Sequence, residues 1–467
     1  MHFQCVCVCA GSCVQAGLSV GVVTPLLRGQ AMAGTVEEVR GGAGANAKEV
    51  GDGLAALIML VKNKEPDADG RQWADQVFVP ADKVRSECWQ QLSEGGGWPN
   101  VGWREAYAFA LMALALHHMQ RYEEDGGAAA GGDSVQALRE AVKSLDLALI
   151  MSGSGCADLV HFFLSDIEPN VVAADAGSST EQREADAANG DDDTRYVIPS
   201  TLPAGRVPEL SEACRIPRVR SPTFSDFKKN FFKKDKSVII EGATDEWPAR
   251  QRWQDLRYFR SQYGHRTVPV ELGKLLGGRK VLGCWAEEAL MMRDFIDKHL
   301  VPSNQACSQS PSTRPEGGEQ QVAYLAQHAL FEQLPRLHAD LAPPEYTACG
   351  TLEAVNAWLG TAGTVTPLHH DSYDNLLTQV VGFKYVRLYE PKETKYLYVS
   401  KKGTGINAQG NVSPIDCESP DSTKYPLVSE ATYTEAVLGP GDMLFVPSGH
   451  WHYVRSLSPS FSVNFWF

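Results

Sequence analysis

The 467-residue chain lacks several patterns that would suggest a function immediately. None of its eleven cysteines form a CxxC pair, which argues against zinc ribbons and thioredoxin-type redox sites. No apolar run is long enough to cross a membrane. Residues 1–27 contain no lysine or arginine, so they resemble neither a secretory signal nor a mitochondrial transit peptide. We expect residues 1–48 to be an unstructured, cysteine-rich tail or a misassigned start.

The chain also has fewer positive than negative residues. It contains 43 Lys and Arg residues and 57 Asp and Glu residues, which gives a formal net charge of -14. This balance argues against direct nucleic-acid binding and suits the docking of a basic protein or peptide (histone-like, ribosomal or chromatin-associated), although acidity can simply aid solubility. Most cysteines are scattered singly, which is typical of a reducing compartment, so we expect the nucleus or the cytoplasm.

The first part of the chain has helical periodicity. Helices are predicted at 51–63, 73–91, 103–122, 135–151 and 157–166, and these define a helical domain over 49–170. Residues 171–207 contain an acidic segment of small residues that cannot bury a core, so we expect a disordered linker. From 208 to 467 short β-branched and aromatic runs alternate with turn residues, which predicts a β-barrel or sandwich and an overall α+β class.

Two short motifs in this β-rich half carry candidate metal ligands. In TPLHHDSYDN (366–375), residues two apart in a strand share a face, so His369 and Asp371 project together and His370 points away. In GDMLFVPSGHWHYV (441–454), His450 and His452 are again two apart, and spacing alone does not choose between them. Two histidines and one carboxylate would form the facial triad of non-haem Fe(II) oxygenases.

The strand QVVGFKYVRLY (379–389) places Lys384 on the same face as Val386 and Leu388. A buried ammonium is costly without a carboxylate partner. The carboxylate of a bound 2-oxo acid would supply one, while a protein Asp or Glu is the structural alternative.

At these residues the C-terminal half resembles the JmjC oxygenases, and within them the family of JmjC domain-containing protein five, described as lysine demethylase eight and as a protein arginyl hydroxylase. The resemblance runs from IPRVRSPTFSDF at 216–227 through YLAQHALFEQLPRL at 324–337 to the end of the chain. It implies a double-stranded β-helix, a cupin-like jelly roll, behind the helical domain.

The resemblance also implies roles for individual residues. The family's iron ligands fall on His369, Asp371 and His452. Its 2-oxoglutarate contacts fall on Tyr324, Thr366, Asn375, Lys384 and Trp466. Its substrate pocket, suited to a guanidinium, falls on Glu271, Gln327 and Trp358. The implied cofactors and co-substrates are Fe(II), 2-oxoglutarate and O2.

The function that follows is hydroxylation of arginyl side chains in basic proteins. Two alternatives stay open: demethylation of N-methyl-lysine in histones, and a partner-binding JmjC module without catalysis. The chain ends at Phe467, beside the strand that carries Trp466, without the helices through which several JmjC hydroxylases dimerise, so we expect a monomer.

Overall fold

A computed structural model of the chain describes eleven segments, and the Cys5–Cys13 cluster lies outside them. They are residues 31–41, 47–62, 70–94, 100–127, 132–188, 193–202, 207–276, 279–280, 286–308, 319–399 and 411–467. Two compact units divide the chain near residue 190, with residues 265–267 grouped in the first. The first unit is helical and the second holds the β-sheets, which confirms the predicted α+β class.

The first unit contains six helices in its described residues. They are α1 (Ala31–Arg40), α2 (Ala47–Lys62), α3 (Gly70–Glu94), α4 (Val101–Glu124), α5 (Gly132–Ser152) and α6 (Ala157–Ala188). The most deeply buried is α4, whose residues Ala106 to Leu116 face the core all round. Its first turn is capped by Asn100, whose side chain accepts a hydrogen bond from the Trp103 amide at 3.2 Å. Among the described residues, no helix combines the length and apolarity needed to cross a membrane.

Both ends of this unit extend beyond the predicted limits. Helix α1 begins at Ala31, inside the expected tail, and α6 continues to Ala188, inside the expected linker over 171–207. Residues 173–188 are rich in Ala and include two Glu and one Gln, residue types that favour helix, and they contain no large apolar residue. The composition of this segment therefore argues against a packed core but not against a helix.

The second unit is built from fourteen strands in its described residues. They are β1 (Arg218–Arg220), β2 (Val238–Glu241), β3 (Thr267–Leu276), β4 (Arg279–Lys280), β5 (Ala286–Met291), β6 (Glu319–His328), β7 (Ala354–Gly360), β8 (Val365–His370), β9 (Asn375–Val381), β10 (Lys384–Tyr389), β11 (Thr434–Leu438), β12 (Met443–Val446), β13 (Trp451–Ser456) and β14 (Ser460–Trp466). The large sheet has the order β1-β2-β12-β9-β14-β7-β6-β3-β4, with β5 paired to β3. The small sheet has the order β11-β10-β13-β8.

Short helices accompany the sheets of this unit. They are α7 (Phe224–Asn230), α8 (Ala249–Arg252), α9 (Arg257–Tyr263), α10 (Met292–Phe295), α11 (Val301–Ser308) and α12 (Leu330–Gln333). Several of them, with the outer face of the large sheet, enclose the larger apolar core of the unit. A smaller core lies between the sheets and includes Leu377, Val386 and Val454.

Strand β14 shows how sequence alternation sorts the two faces of the large sheet. Phe461, Val463 and Phe465 belong to the outer core, whereas Ser462 and Asn464 point to the interior. The interior face therefore carries polar side chains into the space between the sheets.

The turn from β9 to β10 depends on Gly382. Its φ is 76°, and a Cβ there would lie 2.2 Å from the carbonyl oxygen of Pro459. Only glycine fits such a site without strain. This turn starts β10 in the register that carries Lys384, the first residue of that strand.

Candidate metal centre and cofactor cavity

The pairing of β8 with β13 brings the predicted metal ligands together. His369 lies directly opposite His452 in this antiparallel pair, and the two ring centroids are 4.1 Å apart. Asp371 follows β8, and its carboxylate oxygens lie 3.7 Å from His369 Nε2 and 3.5 Å from His452 Nε2. All three ligand atoms lie within 4.8 Å of one another, a spacing that suits one metal ion.

The hydrogen bonds of both histidines leave the correct nitrogen free. His369 Nδ1 lies 2.8 Å from the carbonyl oxygen of Pro367, and His452 Nδ1 lies 3.1 Å from that of His450. A carbonyl only accepts, so each Nδ1 carries the proton and donates it. Each Nε2 therefore directs a lone pair at the position between the three side chains.

Burial shifts the pKa values of two of the three ligands, His452 and Asp371. It lowers the pKa of His452 well below the ordinary value, with a smaller contribution from His369. Burial raises the pKa of Asp371, and His369 partly opposes that shift. A neutral imidazole is the form that binds metal, so His452 is held in a ligating state.

The neighbouring histidines lie outside this arrangement. The ring of His370 packs edge-on against Trp451, with centroids 4.6 Å apart. His450 is buried and precedes β13, and its backbone amide donates to Pro447. Strand pairing thus separates His452 from His450, which the spacing in the sequence alone does not do.

A chain segment beyond the ligand strand borders β8 on its free edge. The His370 amide donates to Asn411, and the Ser413 amide donates to Leu368, at 3.0 and 2.8 Å. Glu418 then accepts hydrogen bonds from Arg455 and Tyr453 of β13. This segment belongs to the long connection between β10 and β11, and it braces the strand that carries His369.

A cavity opens beside the triad between the two sheets, and the space within its outline, including solvent at its mouth, is about 520 Å³. Its wall contains the triad and Lys384, together with other residues from both sheets. Those residues are Tyr324, Gln327, Trp358, Thr366, Asn375, Leu377, Val386, Leu388, Leu444, Val446, Val454, Asn464 and Trp466. The triad and the five predicted 2-oxoglutarate contacts therefore share one chamber.

Lys384 is the cation of this cavity, and it is 1% exposed. Its Nζ donates to the Tyr324 hydroxyl at 3.3 Å and lies 5.4 Å from the centre of that ring. No carboxylate of the described residues lies within ion-pair distance of it. Burial lowers the pKa of Lys384 to about 7. The site is thus arranged to gain from an anionic ligand.

The other predicted 2-oxoglutarate contacts offer polar atoms to the same chamber. Asn375 Oδ1 and Trp466 Nε1 are buried without hydrogen-bond partners. Thr366 hydrogen-bonds Tyr324, which partly opposes the rise that burial causes in the pKa of Tyr324. Unpaired buried polar atoms are costly, so a polar ligand fits this wall better than an apolar one.

Two of the three predicted substrate residues line the cavity, and the third does not. Gln327 and Trp358 line the cavity, and Gln327 has a left-handed φ of 46° at an irregularity in the pairing of β6 with β7. Glu271 is exposed on β3 opposite Tyr324, but it does not line the cavity. A strained residue at a cavity wall is a frequent feature of binding sites.

Asn464 is a cavity residue that the sequence reasoning missed. It lies two residues before Trp466, so the two side chains share a face of β14. That parity was visible in VNFWF at 463–467 and could have identified it.

Comparison with known proteins assigns the chain to a family. Residues 224–467 match the family described as "Cupin-like domain". "Lysine-specific demethylase 8" of Danio rerio is 34% identical over 84% of this chain and 90% of that protein. The chain belongs to this cupin-like JmjC family. "Lysine-specific demethylase JMJ30" of Arabidopsis thaliana is 31% identical over 83% of this chain and 85% of that protein.

A human JmjC relative is named differently. "Bifunctional peptidase and (3S)-lysyl hydroxylase JMJD7" is 28% identical over 53% of this chain and 82% of that protein. JmjC relatives of this chain are therefore named both as demethylases and as a hydroxylase. The match over the β-rich unit confirms the predicted jelly-roll class.

Proposed function

We propose that this chain is an Fe(II)- and 2-oxoglutarate-dependent oxygenase that hydroxylates arginyl side chains of basic proteins. Membership of the JmjC family supports the oxygenase class, its Fe(II) ion and its co-substrates 2-oxoglutarate and O2. The arginyl substrate is the finer part of the proposal and rests on the net charge of the chain and on residues at and beside the cavity wall.

The observation that carries the proposal is the presence of Lys384 in the same cavity as the triad. Two histidines and one carboxylate leave coordination positions open on a bound Fe(II). A bidentate 2-oxo acid can occupy two of them, and its far carboxylate would then pair with Lys384. A metal-binding cupin that does not use a 2-oxo acid would have no need for this buried lysine, which has no carboxylate partner among the described residues.

Each group of side chains has a separate task in this function. His369, Asp371 and His452 would hold Fe(II), while Lys384 and Tyr324 would fix the far end of the 2-oxoglutarate. Bound together, the iron and 2-oxoglutarate supply the activation of O2 that places oxygen into a substrate C–H bond. The apolar residues Leu377, Val386, Leu388, Leu444 and Val454 would limit the access of water.

Three features support a basic, arginyl substrate. The chain has a net charge of -14, which favours the approach of a cationic partner. Trp358 and Gln327 supply an aromatic face and an amide at the cavity wall. Glu271 is the nearby carboxylate on β3, and carboxylate with aromatic ring is suitable chemistry for a guanidinium.

Demethylation of N-methyl-lysine is the second candidate, and the names of two relatives favour it. The same metal centre would hydroxylate the N-methyl group, which is then lost as formaldehyde. Arginyl hydroxylation is preferred because the cavity wall offers the aromatic face of Trp358, and the Glu271 carboxylate lies on the strand next to Tyr324 of that wall. A partner-binding module without catalysis is the third candidate, and it assigns no task to the triad or to Lys384.

The deciding experiment incubates the Fe(II)-loaded protein with 2-oxoglutarate and basic peptides, followed by mass spectrometry. A gain of one oxygen on arginine is the expected result. Oxygen on lysine or loss of a methyl group from methyl-lysine would replace the arginyl proposal but keep the oxygenase. If no peptide changes and no succinate forms, the binding-module candidate gains support.

A further inference from the structure

A strip of lysines lies on the surface of the second unit, outside the metal centre. Residues 224–236 comprise α7 and the short turn after it, and they contain five lysines and two aspartates. The lysines of this lysine strip are Lys228, Lys229, Lys233, Lys234 and Lys236. The strip has a formal net charge of +3, although the whole chain has -14, so the remaining residues together carry -17. It is therefore a local positive surface on an acidic protein.

Aromatic side chains anchor the lysine strip to the core of the second unit. Phe227 is fully buried, and its ring centroid lies 4.8 Å from that of Tyr346 and 5.0 Å from that of Phe445. Phe232 stacks on Phe467, with ring centroids 6.3 Å apart. The backbone that carries the lysines is thus fixed by packing, which reduces the entropy that a binding partner must overcome.

The lysines of the strip lack ion-pair partners among the described residues. Four of them are exposed, and Lys228 is half-buried with its Nζ 5.5 Å from the centre of the Phe224 ring. Like charges this close in the chain repel one another, so the cluster is unfavourable in the isolated protein. Solubility does not explain it, because positive residues reduce the magnitude of the net charge of an acidic chain. An anionic partner would replace this repulsion with attraction.

The small size of the strip and the charge around it favour a short acidic peptide segment over nucleic acid. The seven residues of α7 span about 10 Å. A nucleic-acid backbone would continue beyond this length onto a surface with an excess of negative charge, where its phosphates would be repelled. A short run of Asp and Glu residues can match the strip and end with it.

We propose that the lysine strip docks an Asp- and Glu-rich segment of a partner protein, through charge pairs between its carboxylates and the exposed lysines. The position of the strip relates it to the metal centre. The amide of Phe467, on which Phe232 stacks, donates to the carbonyl oxygen of Asp374 at 3.0 Å. Asp374 lies three residues after the candidate ligand Asp371, so a docked partner would be held beside the turn between β8 and β9.

The test measures binding of a fluorescein-labelled peptide of eight glutamates to the full chain by fluorescence anisotropy. The wild type should bind the peptide, and its affinity should fall as salt is raised from about 50 to about 200 mM. Lys229→Glu combined with Lys233→Glu should weaken binding at least about tenfold, because two attractions become repulsions.

Two exposed lysines outside the strip provide the matched control. Lys298 pairs with Asp294, and Lys424 lies on the connection between β10 and β11. Lys298→Glu combined with Lys424→Glu changes the net charge equally and should leave the affinity for the peptide within about twofold of the wild type. Thermal melting verifies the fold of each variant. Lys229→Gln combined with Lys233→Gln replaces the charge reversal if that variant does not fold, and it should weaken binding about threefold or more.

Several results would overturn the proposal. A wild type that does not bind the glutamate peptide has no such docking site, and equal binding by the strip variant would place the site elsewhere. Equal binding of a peptide of eight glutamines would refute recognition by charge. Tighter binding of an eight-nucleotide oligothymidylate would replace the acidic protein segment with nucleic acid. None of these measurements involves iron or 2-oxoglutarate, so failure here is distinct from failure of the proposed function.

Discussion

Replacing Lys384 with methionine should stabilise the ligand-free protein and at the same time weaken its binding of 2-oxoglutarate. The ammonium is buried without a carboxylate partner among the described residues. Folding therefore removes it from water without forming an ion pair that would compensate for the lost hydration. Methionine fills a similar volume without charge. An ordinary structural lysine would show the opposite effect on stability, because its removal would break an ion pair.

The magnitude follows from the pKa. Burial lowers the pKa of Lys384 from 10.5 to about 7, and each unit corresponds to about 1.4 kcal/mol. The cost at neutral pH is therefore on the order of 4 kcal/mol as an upper limit, and relaxation with water entry reduces it to roughly 1–3 kcal/mol. Between these two pKa values the unfolded chain binds the extra proton, so wild-type stability rises with pH. The advantage of Lys384→Met should therefore shrink from pH 7 towards pH 10.

Urea unfolding of the metal-free, ligand-free protein at several pH values measures this difference. The matched control is Lys392→Met, because Lys392 is exposed and pairs with Glu390 at the surface. That control should change the free energy of unfolding by no more than about 0.5 kcal/mol. If Lys384→Met destabilises the protein at pH 7, a hidden partner holds the lysine and the reasoning is wrong.

Binding of 2-oxoglutarate supplies the second half of the same prediction. Loss of a charge-assisted hydrogen bond should weaken affinity by about 10- to 100-fold in Lys384→Met. The ligand carboxylate raises the pKa of Lys384, so the wild type should take up a proton on binding above about pH 7. Calorimetry in two buffers of different ionisation enthalpy detects that uptake. Uptake that persists in Lys384→Met would refute the assignment to this lysine.

Three further predictions concern other parts of the unit. His452→Ala should abolish Fe(II) binding, whereas His450→Ala should retain it, as measured by equilibrium dialysis; equal losses would contradict the assigned ligand. Glu418→Gln should lower the free energy of unfolding by about 1–2 kcal/mol, because Arg455 loses a charge-assisted, two-pronged partner, and an unchanged urea midpoint would contradict this. Glu271→Gln should raise KM for an arginyl peptide about five- to tenfold while KM for 2-oxoglutarate stays unchanged, and a change in the latter alone would exclude a substrate role.

Local patterns in the sequence predict much of the fold and part of the site. Strand parity alone pairs His369 with Asp371 and excludes His370, because the period of a strand is short and strict. Helical periodicity locates the predicted helices of the first unit, although α6 continues to Ala188 through a segment expected to be a linker. The composition of this segment shows that it has few apolar side chains to bury. A helix can still form there, because its backbone N–H and C=O groups hydrogen-bond within the helix and need no packed core.

Contacts between distant strands could not be predicted in this way. The position of His452 opposite His369 depends on the register of β13 against β8, which no local pattern fixes. The resemblance to the JmjC family therefore had to select His452. The hydrogen bond that Trp358 donates to Asn464 likewise joins two strands far apart in the chain, so no local pattern predicts it. Glu271 lies on β3, and its distance from the cavity wall depends on the packing of β3 against β6, which no local pattern fixes.

The most direct measurement is an anaerobic titration of the Fe(II)-loaded protein with 2-oxoglutarate, followed by the visible charge-transfer absorption of a chelated ferrous 2-oxo acid. The wild type and His450→Ala should develop this band at stoichiometric iron. His452→Ala should not develop it, and Lys384→Met should require a much higher concentration of 2-oxoglutarate. A wild-type protein that binds Fe(II) but shows no band at any concentration of 2-oxoglutarate would contradict the proposed cofactor cavity.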